Sequence, residues 1–195
     1  MKKLLITGFE PFSGQKINPS WECVCALNDI IGEFSLEKLQ IPTVFEKAFL
    51  AVESKANEIM PDAILCVGQA GGRRSITPEA VAINLKDANI FDNEGNMPRY
   101  EKICLNGENA YFTTLPITRI VEKVKSVGVN CAISYSAGAF VCNETLYRLL
   151  CKYSNTNVQV GFIHVPFAPN QTEESNPSMS IEDMVKGLTA AITAL

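Results

Sequence analysis

The chemistry open to this chain is set by one histidine, seven cysteines and a carboxylate beside an apolar run. His164 is the only imidazole, so it is the one candidate for a side-chain base titrating near neutrality. It lies in Gly161-Phe162-Ile163-His164-Val165-Pro166-Phe167, an apolar run that reads as a buried strand ending at Pro166. A base at the end of a rigid strand suits catalysis; a core histidine with backbone partners fits the same segment and is the commoner case. Among the thiols, Cys142 has a distinctive setting. In Tyr135-Ser136-Ala137-Gly138-Ala139-Phe140-Val141-Cys142 a strand turns through small residues into a helix whose first turn carries the thiol. The positive end of the helix dipole and the unpaired N–H groups there favour thiolate, and the same groups could hold an oxyanion. Cys142 also shares a helical stripe with Leu146, Leu149 and Tyr153, so a small core residue is the competing reading. Cys23, Cys25, Cys66, Cys104, Cys131 and Cys151 lack this strand-turn-helix setting. Glu79 stands just before the apolar run Ala80-Val81-Ala82-Ile83, where a carboxylate could orient an imidazole or simply be a solvated acid.

The elements that must carry these groups alternate. Strands are expected at Lys2–Thr7, Ser35–Ile41, Ala63–Val67, Val81–Leu85, Ala132–Tyr135 and Val158–His164. Helices are expected at Ser20–Ile31, Phe45–Met60, Thr118–Val127, Val141–Tyr153 and Ser180–Leu195, the last capped by Ser180. This order predicts a single-domain, three-layer α/β/α sandwich over residues 1–195, with a mostly parallel twisted central sheet. In such sheets sites gather at the carboxyl ends of strands. Two glycine-bearing loops fall there, Gly8-Phe9-Glu10-Pro11-Phe12-Ser13-Gly14 and Gly68-Gln69-Ala70-Gly71-Gly72-Arg73. The second lacks the Lys-Ser/Thr of a phosphate-binding loop and the spacing of a dinucleotide fingerprint, and either loop could be an ordinary tight turn. Asp87–Gly107 is a long aperiodic stretch, of the kind that is functional or an assembly contact.

Composition excludes several classes. Hydrophobic residues are 47% and charged residues 19%, as in a globular chain. A net charge of −4, with no basic cluster beyond Arg73-Arg74, argues against a nucleic-acid partner. No apolar stretch is long enough to span a membrane, and the apolar run after Lys2-Lys3 is too short for a signal peptide. The cysteines are odd in number and scattered, with one histidine, so no metal or other cofactor is expected and the thiols read as free and cytoplasmic.

Several segments together resemble the pyroglutamyl peptidase I (pyrrolidone-carboxylate peptidase) family of cysteine exopeptidases. They are Thr7-Gly8-Phe9-Glu10-Pro11-Phe12, Asn18-Pro19-Ser20-Trp21-Glu22, Val67-Gly68-Gln69-Ala70-Gly71-Gly72-Arg73, Ile76-Thr77-Pro78-Glu79 and Asp92-Asn93-Glu94-Gly95-Asn96. Ser136 to Asn143 resembles the family's nucleophile segment, and Gly161 to Pro166 its histidine segment. The likeness runs from residue 4 to about residue 171. It implies a triad of Cys142, His164 and Glu79, and a pyroglutamate pocket that includes Phe9, Phe12, Asn18, Gln69 and Val141. It further implies small peptides bearing N-terminal pyroglutamate as substrates, and a homotetramer. The chemistry is consistent: a compact uncharged lactam asks for an apolar slot with a few hydrogen-bonding groups, which two phenylalanines and a glutamine amide can supply.

Two positions depart from the family pattern. Asn89 stands where the family usually has an arginine credited with holding the oxyanion; an amide N–H₂ donates with shorter reach and no charge. Glu144, two residues after the nucleophile, stands where histidine is common, and its charge would oppose a thiolate if the two were close. These departures leave open a weakly active paralogue that binds pyroglutamyl peptides, or an amidase for another small amide.

Overall fold

The structure is a computed structural model that describes residues 1–173 and 175–195. Its centre is a six-stranded sheet. Four strands are parallel: β1 (Lys2–Phe9), β3 (Phe34–Ile41), β4 (Ala63–Gln69) and β8 (Gln159–Val165), ordered β3-β1-β4-β8. Two short strands close the edges antiparallel: β2 (Ile30–Ile31) on β3 and β5 (Thr77–Pro78) on β8. Helices α1 (Pro19–Ala26), α3 (Ile117–Ser126) and α5 (Ile181–Ile192) cover one face, over a core that includes Leu4, Val24, Leu65, Ile120, Val124 and Leu188. Helices α2 (Lys47–Ile59) and α4 (Val141–Tyr153) cover the other, over Leu5, Val52, Ile64, Leu146, Leu149 and Phe162. The expected α/β sandwich is therefore the fold, and the central strands β1 and β4 are apolar and buried nearly throughout, as strands covered on both faces must be, while β3 nearer the edge leaves Glu37 and Gln40 exposed.

Three expected elements differ. The helix expected over Ser20–Ile31 stops at Ala26. The chain turns at Leu27, and Ile30–Ile31 pair with Phe34–Ser35 around Gly32-Glu33, a two-residue turn whose first residue has φ +59°, open to glycine at no steric cost. The strand expected at Val81–Leu85 is β6 (Val81–Ile83); it leaves the main sheet and pairs antiparallel with β7 (Ala110–Phe112), which the sequence pattern did not reveal. The strand expected at Ala132–Tyr135 runs extended beside β5 but makes only isolated bridges, Ile76 to Cys131 and Glu79 to Ser134. The bonds Ala132 N–H to Ile76 O, Ser134 N–H to Pro78 O and Ala80 N–H to Ser134 O follow a parallel ladder. The rung that residue 78 would donate is missing because proline has no N–H.

The strand order reverses at β1: the chain passes from β1 to β3 on one side, then crosses to β4 on the other. Loops leaving the carboxyl ends of β1 and β4 diverge there, and the crevice between them is where an open α/β sheet holds a ligand. The long segment after Asp87 braces this crevice. Asp92 accepts from the N–H groups of Phe45, Glu94 and Asn96, and Asn93 Nδ2 donates to Pro11 O at 3.0 Å.

Candidate active site

Strand pairing brings the expected base and carboxylate together. In the β5–β8 register Thr77 lies opposite His164 and Pro78 opposite Ile163; Glu79 follows, its N–H bonded to Phe162 O. Side chains two apart share a face, so Glu79 is the diagonal neighbour of His164 across the strand pair. His164 Nδ1 and Glu79 Oε1 are 2.7 Å apart, both side chains buried. The carboxylate accepts, so the proton sits on Nδ1 and Nε2 keeps its lone pair. Gly68, level with His164 on β4, makes room for this ring: a Cβ there would lie 2.7 Å from Phe162 Cε1 and Cζ and 3.2 Å from His164 Cδ2.

Arg73 completes the group and was singled out in the sequence only as part of a loop. Its Nη1 bonds the same Glu79 Oε1 at 2.7 Å and also Thr77 Oγ1, and its Nη2 donates to Ser136 O at 3.1 Å. One guanidinium thus ties the loop after β4, the carboxylate and the nucleophile loop. Burial pushes the Glu79 carboxyl upward, but hydrogen bonding and charge from His164, with bonds from Ser134 and Arg73, outweigh it and hold Glu79 below its ordinary value. Burial lowers the His164 pKa; Glu79 opposes that and the Arg73 charge adds to it, leaving the imidazole neutral at neutral pH.

Cys142 is the second residue of α4. Phe140, in extended conformation, precedes the helix without a side-chain cap, so the first-turn N–H groups stay unclaimed by side chains. The helix-dipole argument for a thiolate is outweighed at rest: burial pushes the thiol to about 12, with the Glu79 charge adding, while Arg73 and the residue's own N–H pull it down. The resting pair is therefore thiol and neutral imidazole. Both line one pocket of about 140 Å³, with Phe9, Phe12, Asn18, Thr43, Gln69, Ala70, Arg73, Ala137 and Phe140. Phe140 packs on Phe12 (ring centroids 6.2 Å apart) and edge-on to Phe45 (5.2 Å).

The remaining expected residues fall as follows. Asn18 caps α1, accepting from Ser20 N–H at 3.1 Å and from Ser20 Oγ at 2.8 Å, and donates to Glu10 O. Its amide therefore shapes the wall as well as lining it. Val141 is fully buried in the core under α4 and is not among the lining residues. Asn89 is exposed, off the lining, and its Oδ1 accepts from Arg99 Nη1 at 3.0 Å. Glu144 is buried against the start of α2, accepting from Glu46 N–H at 2.7 Å and pairing with Arg148 Nε at 3.0 Å. Its charge is neutralised there, and the carboxylate that raises the Cys142 thiol is Glu79. Thr43, Ala70, Arg73, Ala137 and Phe140 line the pocket without having been named for it; all but Thr43 stand in the loops and family segments that the sequence marked, and nothing in the sequence pointed to Thr43. A larger cavity of about 600 Å³ lies by the start of α2, lined by Glu46, Lys47, Lys86, Glu94 and Glu101, with none of the residues of the thiol and imidazole among its walls. Among the described residues, no three His, Cys, Asp or Glu side chains gather as a metal site would require.

A half-buried thiol on a helix start and an imidazole held by a carboxylate, facing one small pocket on an α/β sheet, define a cysteine-type hydrolase. The family model described as pyroglutamyl peptidase matches residues 2–195. The pyrrolidone-carboxylate peptidase of Bacillus amyloliquefaciens is 50% identical over 99% of this chain and 92% of its own length. That of Brachyspira hyodysenteriae is 47% identical over 97% and 96%. The crystal structure of pyroglutamyl peptidase I from B. amyloliquefaciens superposes with a TM-score of 0.96 at 48% identity, covering 100% of this chain and 96% of that one. The pyrrolidone carboxyl peptidase of Thermococcus litoralis gives 0.95 at 33% identity, covering 100% and 93%. The chain belongs to the pyroglutamyl peptidase family.

Proposed function

We propose that this chain removes N-terminal pyroglutamate from peptides through Cys142, His164 and Glu79, acting as one catalytic domain over residues 1–195. One observation carries the reading: the thiol and the carboxylate-bound imidazole share a small pocket walled by Phe9, Phe12 and Phe140, with the Gln69 amide beside them. Among the described residues the pocket lining holds no carboxylate for an N-terminal ammonium, and Glu79, beside it, is committed to His164 and Arg73. A neutral lactam is the N-terminus that suits it.

Because the resting pair is neutral, attack and proton transfer are coupled. Cys142 Sγ bonds to the scissile carbonyl carbon as His164 Nε2 takes the thiol proton, and Glu79 stabilises the imidazolium that forms. The oxyanion is held by main-chain N–H groups at the start of α4, Cys142's own among them, a role for which exposed Asn89 is poorly sited. Collapse breaks the C–N bond, the departing amine takes the proton from Nε2, and pyroglutamate remains as a thioester on Cys142. Water then attacks, giving its proton to His164; the second collapse breaks the C–S bond, returns that proton to sulfur and releases pyroglutamate.

The free cysteines suit a reducing cytoplasm. A homotetramer is supported by the family resemblance and by exposed apolar side chains such as Phe91, Tyr100, Leu105 and Phe112; sedimentation of the purified protein reads it directly. The activity is tested with a chromogenic pyroglutamyl amide beside its glutaminyl counterpart. Only the first should turn over. Cys142→Ser should abolish turnover, His164→Ala should lose at least about 10²-fold in kcat, and the double variant should be little worse, because the members act as a unit. A His164→Ala protein retaining more than about a tenth of wild-type kcat, far above what loss of a general base allows, would end this mechanism.

A further inference from the structure

The two oxygens of Glu79 are unequally served. Oε1 accepts from His164 Nδ1 and from Arg73 Nη1, each at 2.7 Å. Oε2 is buried and has no hydrogen-bond partner among the described residues. An ionised carboxylate with one bare oxygen in a dry site is costly, and it is more basic than one held at both oxygens. A more basic carboxylate draws the shared proton off Nδ1 and lets its own plane turn, and either change spoils the base.

The fold places one hydroxyl beside that oxygen. Glu79 and Ser134 are partners in a parallel bridge, with Ser134 N–H on Pro78 O and Ala80 N–H on Ser134 O. Bridge partners put their side chains on one face, and both of these are buried. The Ser134 Oγ is aimed at Ser136 O, 3.2 Å away, yet lies close enough to the carboxylate to help hold it below its ordinary value. Ser136 O does not need it, because Arg73 Nη2 already donates there at 3.1 Å. A serine hydroxyl has one hydrogen and turns freely about its bond, so it can serve the oxygen that has no donor.

We propose that Ser134 is a positioning residue for the base: its hydroxyl donates to Glu79 Oε2, keeping the carboxylate ionised and its Oε1 on the imidazole. The inference rests on the Cys142, His164 and Glu79 reading above. Ser134 is not among the pocket-lining residues, so it acts through Glu79 and not on the substrate.

The test pairs Ser134→Val with Ser134→Thr, which match in shape while only the second keeps a hydroxyl. Ser134→Val should lose about 10-fold in kcat on a pyroglutamyl amide with KM unchanged, and Ser134→Thr should keep most of the wild-type rate. A role in strand packing alone would move both alike. Ser134→Ala, which adds no bulk, should lose as much as Ser134→Val. In a Glu79→Gln background Ser134→Ala should cost little more: the amide oxygen stays with His164 and Arg73, which both donate, and the N–H₂ in place of Oε2 needs no donor. Alkylation of Cys142 by iodoacetamide repeats the comparison without substrate. It should be slower in Ser134→Val and Ser134→Ala and near the wild-type rate in Ser134→Thr. If wild type leaves the pyroglutamyl amide intact, the substrate reading falls while the alkylation series still judges Ser134. Equal rates in Ser134→Val and Ser134→Thr, or an undiminished loss from Ser134→Ala in the Glu79→Gln background, overturn the proposal.

Discussion

Replacing Gly68 by alanine tests whether the imidazole depends on a missing side chain. The new Cβ would stand 2.7 Å from two carbons of the Phe162 ring and 3.2 Å from His164 Cδ2. Carbon atoms rest at about 3.5–4.0 Å, so a ring must retreat by roughly 1 Å. Phe162 is fully buried, with its ring centroid 4.6 Å from that of His164 and 6.1 Å from that of Phe9. It cannot yield without moving the base or the pocket wall. Overpacking of this kind costs about 1–3 kcal/mol, or about 2–12 °C in Tm at 2–4 °C per kcal/mol for a chain of this size. A displacement of about 1 Å in a catalytic group costs on the order of 10² in rate. The expected Gly68→Ala protein is therefore folded, modestly less stable and about 100-fold slower, read by melting followed by circular dichroism and by kcat on a pyroglutamyl amide. Gly187→Ala is the control: its Cβ meets Ile76 Cδ1, a flexible side-chain end, in the core under α5, so stability should fall while kcat holds. Wild-type kcat in Gly68→Ala would refute the steric argument outright, as would an equal kcat loss in Gly187→Ala.

Two further outcomes follow from the charges. Arg73 lowers the His164 pKa, and the neutral imidazole is the active form, so kcat/KM should fall on the acid side with a midpoint below the ordinary histidine value of 6.5. Arg73→Met removes that cation, so the acid limb in the pH–rate profile should move to higher pH; an unmoved limb would show that the guanidinium has no electrostatic hold on the base. Glu144→Ala leaves the Glu46 N–H and Arg148 without their buried acceptor, so it should cost about 1–3 kcal/mol in denaturant unfolding while iodoacetamide still alkylates Cys142 at the wild-type rate. Faster alkylation at neutral pH would mean that this carboxylate does act on the thiol.

What the sequence determined by itself was local. Apolar runs of strand length and amphipathic helical stretches specify β1, β3, β4, β8 and α2 to α5 to within a few residues, because burial on one or both faces imposes its period on the chain. The singular His164 and the strand-turn-helix setting of Cys142 were likewise visible, and the family motifs marked Glu79. Tertiary structure decided what these groups do to one another. Glu79 meets His164 only because β5 pairs antiparallel with β8, over a two-residue strand that no periodicity could announce. Arg73 reaches that carboxylate across a loop, and Gln171 reaches Gln69 from 102 residues away. Asn89 and Glu144 drew notice by their positions in the motifs, yet packing turned one outward and paired the other with Arg148. The state of the thiol changed most. Sequence could register the helix dipole, which acts along the chain, but desolvation depends on what the rest of the fold stacks around the sulfur, and that sum pushes Cys142 to about 12.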